Sequence, residues 1–491
     1  MAFSLTESQK LDHVLRRFGL GAGRYERKKF EKMGWAKALD TLLHDEKLDD
    51  GFPISPWEFA AQPDGRIDTG AYNLAGFWAL RLFLTQRPLE QKLSLFWHDH
   101  FAVDFEKVYE FPMMLGYLET IRTLGRGKFQ DLLTALFRQG ALYTYLDQHT
   151  SNRIHPNENF ARELMELFTL GEGNYTERDV SEAARALTGW SVHYLGTGLQ
   201  YNYETLRAQA AKSKLGLNNA CYVPAVHDDT NKTIFGITKN WDADSLIQHL
   251  CNHPQTARFI CAKLWEYFAY SNPEKAVVDR LAGIWKKTGG DIQAILMSIG
   301  TAPEFWSEKC YLQRTKSPMD YTIGLYRSLG LGPIVLQLRG TPTNEFQPIK
   351  KEVRDTAGGL YYFMTRQGMS LLLPPNVAGW EWGEAWINPA TTVERLNMSN
   401  AIFWGGGAAR PFAVWLATKL KTEDNATTSD KIVDGMADIL DIPISDQSRP
   451  ALIAMCNKHG GPKALENKDQ AANLFARLSR AMFAIPDFQL C

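Results

Sequence analysis

Thr6-Glu7-Ser8-Gln9-Lys10-Leu11-Asp12-His13-Val14-Leu15-Arg16-Arg17-Phe18-Gly19 decides the class of this chain. Thr6 and Gln9 have capping-box spacing, a hydroxyl followed three residues later by a side chain that returns the hydrogen bond. Leu11, Val14, Leu15 and Phe18 then recur at helical spacing, and Gly19, Gly21 and Gly23 stop the helix. The same pattern predicts helices over 28–44, 71–86, 89–98, 111–124, 129–140 and 157–170. Thr176 to Asp179 repeats the capping signal and opens another helix, and further helices are expected over 243–250, 254–270, 276–288 and 292–300. Strand-like alternation is almost absent. The expected fold is mainly α, a large irregular multi-helix architecture with long functional loops and little or no β-sheet.

The chain has 491 residues, 45% hydrophobic and 22% charged, the ordinary balance of a protein with a packed core. A main helical domain over 1–330 and a C-terminal helical part over 331–491 are expected. From Ser191 to Gly236 the periodicity fades, which reads as a long loop or excursion. A second Gly/Pro/Thr-rich separator runs over 330–347, and 374–386 is turn-rich and aromatic. Lysine plus arginine total 54 against 55 acidic residues, so there is no basic excess and nucleic acid is not an expected partner. No apolar run approaches the ~18 residues of a membrane span, so no membrane insertion is expected. The opening residues lack a secretory pattern, which predicts a cytoplasmic location. Six scattered cysteines without a CxxC pair suggest neither a disulfide framework nor a thiolate metal site.

Four clusters carry candidate chemistry. The first is Phe96-Trp97-His98-Asp99-His100-Phe101. Neutral imidazoles bind divalent metals, so His98 and His100 are candidate ligands. Within a regular helix, residues two apart point about 200° from each other, and the pair would then cap a helix end instead. The second, Asn157-Glu158-Asn159-Phe160-Ala161-Arg162-Glu163-Leu164-Met165-Glu166-Leu167, puts Glu163 and Glu166 on one helical face. Such a pair shares a proton, binds a cation or meets an arginine, with Arg162 and Arg185 close by. Glu163 and Glu166 are the candidate catalytic carboxylates, and Asn159 and Arg162 candidate substrate contacts.

The third cluster is His227-Asp228-Asp229, where His227 and Asp228 can ligate a metal or form an oriented base. His253 reads as a helix cap. The fourth is Pro374-Pro375-Asn376-Val377-Ala378-Gly379-Trp380, followed by Trp382 and Trp386. Trp380 and Trp382 suit a sugar platform or a packed turn. HExxH, GxSxG and a phosphate-loop context are all absent, so no nucleotide cofactor is expected.

These segments, together with Leu15-Arg16-Arg17-Phe18-Gly19, Tyr175-Thr176 and Ala186-Leu187-Thr188-Gly189-Trp190, resemble the bacterial family catalogued as domain of unknown function 1800. The resemblance spans residues 10–400. It implies a largely helical bacterial protein, many of whose relatives carry export signals, and it brings no catalytic assignment. Residue roles therefore rest on residue chemistry.

The first expectation is a metal-dependent enzyme, a hydrolase before a non-haem iron oxidoreductase. His98, His100, His227 and Asp228 would ligate zinc, iron or manganese beside Glu163 and Glu166. The alternatives are a metal-free glutamate acid/base enzyme on a glycan, and a non-catalytic helical scaffold or binding protein. The expected partner is a small-molecule or glycan substrate.

Overall fold

The computed structural model describes residues 3–192, 220–403 and 409–491. Within them the fold is mainly α, with two antiparallel strand pairs, Trp190–Val192 with Ala220–Tyr222 and Lys232–Ile234 with Ile237–Lys239. Both pairs lie in or directly beside the passage that loses helical periodicity. Residues 193–219 of that passage, and the glycine run 405–407, lie outside the described residues. Among the described residues no helix is long and apolar enough to cross a membrane.

Local signals set the helix ends. Thr6 and Gln9 form the reciprocal capping box at Glu7–Arg17, and Thr176 with Asp179 does the same at Glu177–Ala186. His253 Nδ1 accepts the backbone N–H of Gln255, capping Pro254–Phe268 as expected.

Three expectations need correction. The helix expected over 28–44 is split, with turns between Arg24–Arg27 and Gly34–Leu43, and Gly34 takes φ +76°. The separator over 330–347 contains a helix, Gly332–Arg339, opened by Pro333 in its first turn. The helix expected over 157–170 is α-helical only over Glu158–Met165 and continues as a π-helical turn, Glu166–Leu170.

Two apolar cores result. The larger draws on residues from Leu11 to Trp386. The smaller combines residues from Met398 to Phe488 with Tyr321, Leu325 and Leu329. Helix Pro318–Ser328 belongs to both: Met319 and Ile323 enter the larger core, while Tyr321 and Leu325 enter the smaller. A buried ion pair also crosses between them. Asp441 Oδ1 accepts Arg16 Nε–H at 3.0 Å and Nη2–H at 2.7 Å, and its Oδ2 accepts the backbone N–H of Ala22 at 2.9 Å.

Candidate functional site

Helix Pro88–His100 is buried along its whole length and stays helical through both histidines. They therefore leave the helix on different sides. His98 packs edge-on against Trp78, Tyr117 and Trp380, with centroids 5.3, 5.9 and 5.6 Å away. The Tyr117 hydroxyl donates to Phe101 O, so its oxygen is left to accept from His98 Nδ1 at 3.4 Å. Among the described residues His98 Nε2 has no hydrogen-bond partner, and burial pushes the imidazole pKa down to about 3. His100 points the other way. The Phe168 carbonyl can only accept, so His100 Nε2 donates to it at 3.2 Å, and Nδ1 accepts from Lys263 Nζ at 3.1 Å. Both ring nitrogens of His100 are thus engaged. Burial and the neighbouring Lys263 charge hold its pKa well below the usual value.

Asp99, between the two histidines, joins the first and fourth clusters. Its Oδ1 accepts the backbone N–H of Trp380 and its Oδ2 the indole N–H of Trp382, each at 2.7 Å. Gly379 has φ +82°, and a Cβ there would collide with the carboxylate and carbonyl of Asp99. Glycine is required on both counts. Burial raises the Asp99 pKa to about 6 against the opposing pull of these hydrogen bonds and of Lys263.

Trp380 is buried against His98, whereas Trp382 faces a cavity of about 340 Å³ beside Phe96, Asp99, Lys263, Tyr267 and Arg314. The Arg314 guanidinium lies 4.8 Å over the Tyr267 ring and 5.6 Å over Trp382. Its side chain is only 9% exposed, yet Nη1 and Nη2 make no hydrogen bond among the described residues. Asp320 stands 3.6 Å away and is shared with the fully buried Lys92, whose Nζ lies 3.2 Å from it. Burial alone would raise the Asp320 carboxyl, but Lys92 and Arg314 hold it well below the carboxylate range. Burial lowers the Lys263 pKa, opposed by the charges of Asp99 and Glu266.

Sequence reasoning missed Lys263, Tyr267 and Arg314. Lys263 is a charge set within the apolar pattern of Pro254–Phe268. Arg314 precedes the Ser317–Asp320 capping box, the one local signal that could have drawn attention to it.

The other candidates stand in separate networks. Glu166 accepts the Tyr175 hydroxyl, and the half-buried Glu163 is raised by burial and by the charge of Glu166. The π-helical turn that follows carries Phe168 O to His100. Arg162 makes a bidentate pair with Glu177 at 2.8 and 2.7 Å, and Asn159 Nδ2 donates to Leu146 O at 3.2 Å. His227 Nδ1 donates to Thr188 O at 2.8 Å, and Asp228 accepts Arg185 Nε–H at 2.8 Å. Among the described residues no group of three or more His, Cys, Asp or Glu side chains is placed to hold a metal ion.

A family model described as protein of unknown function (DUF1800) matches residues 13–490. The chain belongs to the DUF1800 family. No curated protein and no solved structure matches it. In this DUF1800 chain three of the segments that carry the resemblance are linked in space. The 96–101 and 375–380 segments meet at Asp99, and the 157–167 segment runs into the turn that binds His100.

Proposed function

We propose that the chain is a metal-independent acid–base enzyme acting on a small anionic molecule bound in the Asp99 cavity. It keeps the metal-free acid–base chemistry expected for a glycan but changes the substrate to a small anion and puts Asp99 in place of Glu163 and Glu166. The observation that carries it is the buried Arg314 guanidinium, whose two terminal nitrogens have no hydrogen-bond partner at the wall of a 340 Å³ cavity. Asp320, 3.6 Å away, balances its charge without a hydrogen bond among the described residues. A buried donor left without a hydrogen bond is costly, and a guanidinium turned toward the cavity would be satisfied bidentately by a carboxylate or phosphate on the ligand. Trp382 and Tyr267, whose rings carry the Arg314 guanidinium, line the same cavity and give it an aromatic wall beside that anion. Asp99, with its pKa near 6, holds a proton in a useful fraction of molecules at neutral pH and can give or take one.

The metal-dependent hydrolase has less support, because His100 offers no free nitrogen and the other candidate ligands lie in separate networks.

The test titrates wild type, Arg314→Gln and Trp382→Phe with phosphate, acetate, glyoxylate and glucuronate, reading tryptophan fluorescence and Tm. At least one anion is expected to quench fluorescence and raise Tm in wild type, with the response lost in Arg314→Gln. No response to any of the four, or an equal response in Arg314→Gln, overturns the reading.

A further inference from the structure

We propose that Lys263 is a nucleophilic amine that forms an imine with the carbonyl of an oxo acid held in the same cavity. The inference rests on the anion site proposed above and names the class of its ligand. Lys263 lines the cavity together with Arg314 and Asp99. Its surroundings differ from those of the buried Lys92 close by. Lys92 lies 3.2 Å from Asp320 and donates to two backbone carbonyls, an arrangement built for an ammonium ion. Lys263 has one hydrogen-bond partner among the described residues, the Nδ1 of His100. No carboxylate among the described residues forms an ion pair with it.

That imidazole is neutral by hydrogen-bond bookkeeping, since Nε2–H is committed to Phe168 O and Nδ1 accepts. A neutral acceptor orients an amine as readily as an ammonium, and adds no charge that would trap the proton. The ring of Phe259, 5.2 Å from Nζ, covers the amine on another side. A half-buried lysine in an aromatic-walled cavity, with Asp99 and Glu266 near enough to feel its charge but in no ion pair with it among the described residues, is a setting in which a lysine can act as a nucleophile.

The step balances without a cofactor. The amine nitrogen attacks the carbonyl carbon, the C–N bond forms, and the carbonyl electron pair moves to oxygen. Loss of that oxygen as water leaves the C=N bond. Both protons of the departing water originate on the amine, and Asp99 relays one of them. The carboxylate of the oxo acid meets Arg314, so the same molecule satisfies the guanidinium and presents its carbonyl to the amine.

The experiment incubates full-length protein with glyoxylate at pH 7, adds sodium borohydride, and maps modified lysines by mass spectrometry. Wild type is expected to gain one carboxymethyl group, on Lys263, in clear excess over every other lysine. Arg314→Gln is expected to lower the yield at Lys263 without redistributing it. Labelling spread evenly over the lysines overturns the proposal. So does an unlabelled Lys263 in protein that binds glyoxylate by fluorescence, which leaves the anion site standing. Labelling of Lys263 that is indifferent to Arg314→Gln supports the amine and overturns the anion site instead. Lys263→Met, checked for folding by circular dichroism, must lose the label.

Discussion

The carboxylate of Asp99 accepts the indole N–H of Trp382 at 2.7 Å, across 283 residues of chain. This bond, with its partner from the Trp380 backbone, ties the end of a buried helix to an aromatic turn and fixes one wall of the cavity. A carboxyl used in this way has a pH dependence that can be measured.

Burial raises the Asp99 pKa from 3.8 to about 6, so the folded state binds the proton more tightly than the unfolded state. The resulting stabilisation is complete below about pH 4 and is lost as pH rises through 6. Chemical denaturation from pH 4 to 8 should show wild type losing on the order of 2–3 kcal/mol relative to Asp99→Asn. A constant offset between the two, from the lost Trp382 bond, is expected throughout. A difference that does not change with pH would place Asp99 in a more hydrated setting.

His98 acts in the opposite sense. Its pKa is pushed from 6.5 down to about 3 by burial, so its contribution is present above pH 6.5 and is lost as pH falls toward 3. The acid limb of the stability profile should flatten in His98→Phe, which keeps an aromatic ring among Trp78, Tyr117 and Trp380.

Gly379→Ala puts a Cβ into Asp99 at a backbone φ of +82°. The expected cost is about 2–3 kcal/mol, with red-shifted tryptophan emission as the 374–386 turn lifts from the helix end. Unchanged emission and stability would mean that the turn is not pinned by Asp99.

Glu163 is raised by burial and by the charge of Glu166. A raised carboxyl costs stability once pH exceeds its folded pKa, so Glu163→Gln at pH 7 is expected to match or exceed wild type in denaturation. A carboxylate bridging a metal would behave in the reverse way, with lost stability and lost metal by elemental analysis.

Removing one partner of the Arg16–Asp441 pair leaves a buried charge alone. Asp441→Asn should cost about 3–5 kcal/mol. Asp441 sits at φ +57°, which asparagine tolerates, so the loss reports the ion pair and not the backbone. Arg16→Met with Asp441→Asn, which keeps an acceptor for the Ala22 N–H, is expected to recover stability relative to the single change.

The parts of the fold legible in sequence are those set within a few residues. The Thr6–Gln9 and Thr176–Asp179 boxes form as their spacing dictates, because both partners lie three residues apart. The Gly332–Arg339 helix was hidden because its glycine and proline, read as breakers, occupy a first turn where proline is tolerated. The π-helical turn after Met165 gives no periodic signal in five residues. At the site, the 96–101 and 374–386 clusters were visible separately. Their pairing was not, since nothing local links Asp99 to Trp382. Lys263 and Arg314 carry no motif, and only their common cavity reveals them.

Helix Pro318–Ser328 gives both cores the same backbone. Shortening the chain after residue 388 would strip the covering from Tyr321, Leu325 and Leu329 and present an apolar stripe to water. The first turn of the same helix carries Asp320, which stands between Lys92 and Arg314. A truncated product would therefore be prone to self-association and would also lose the brace behind Arg314. Protease nicks and deletions in the last hundred residues should be felt at a cavity that those residues do not line.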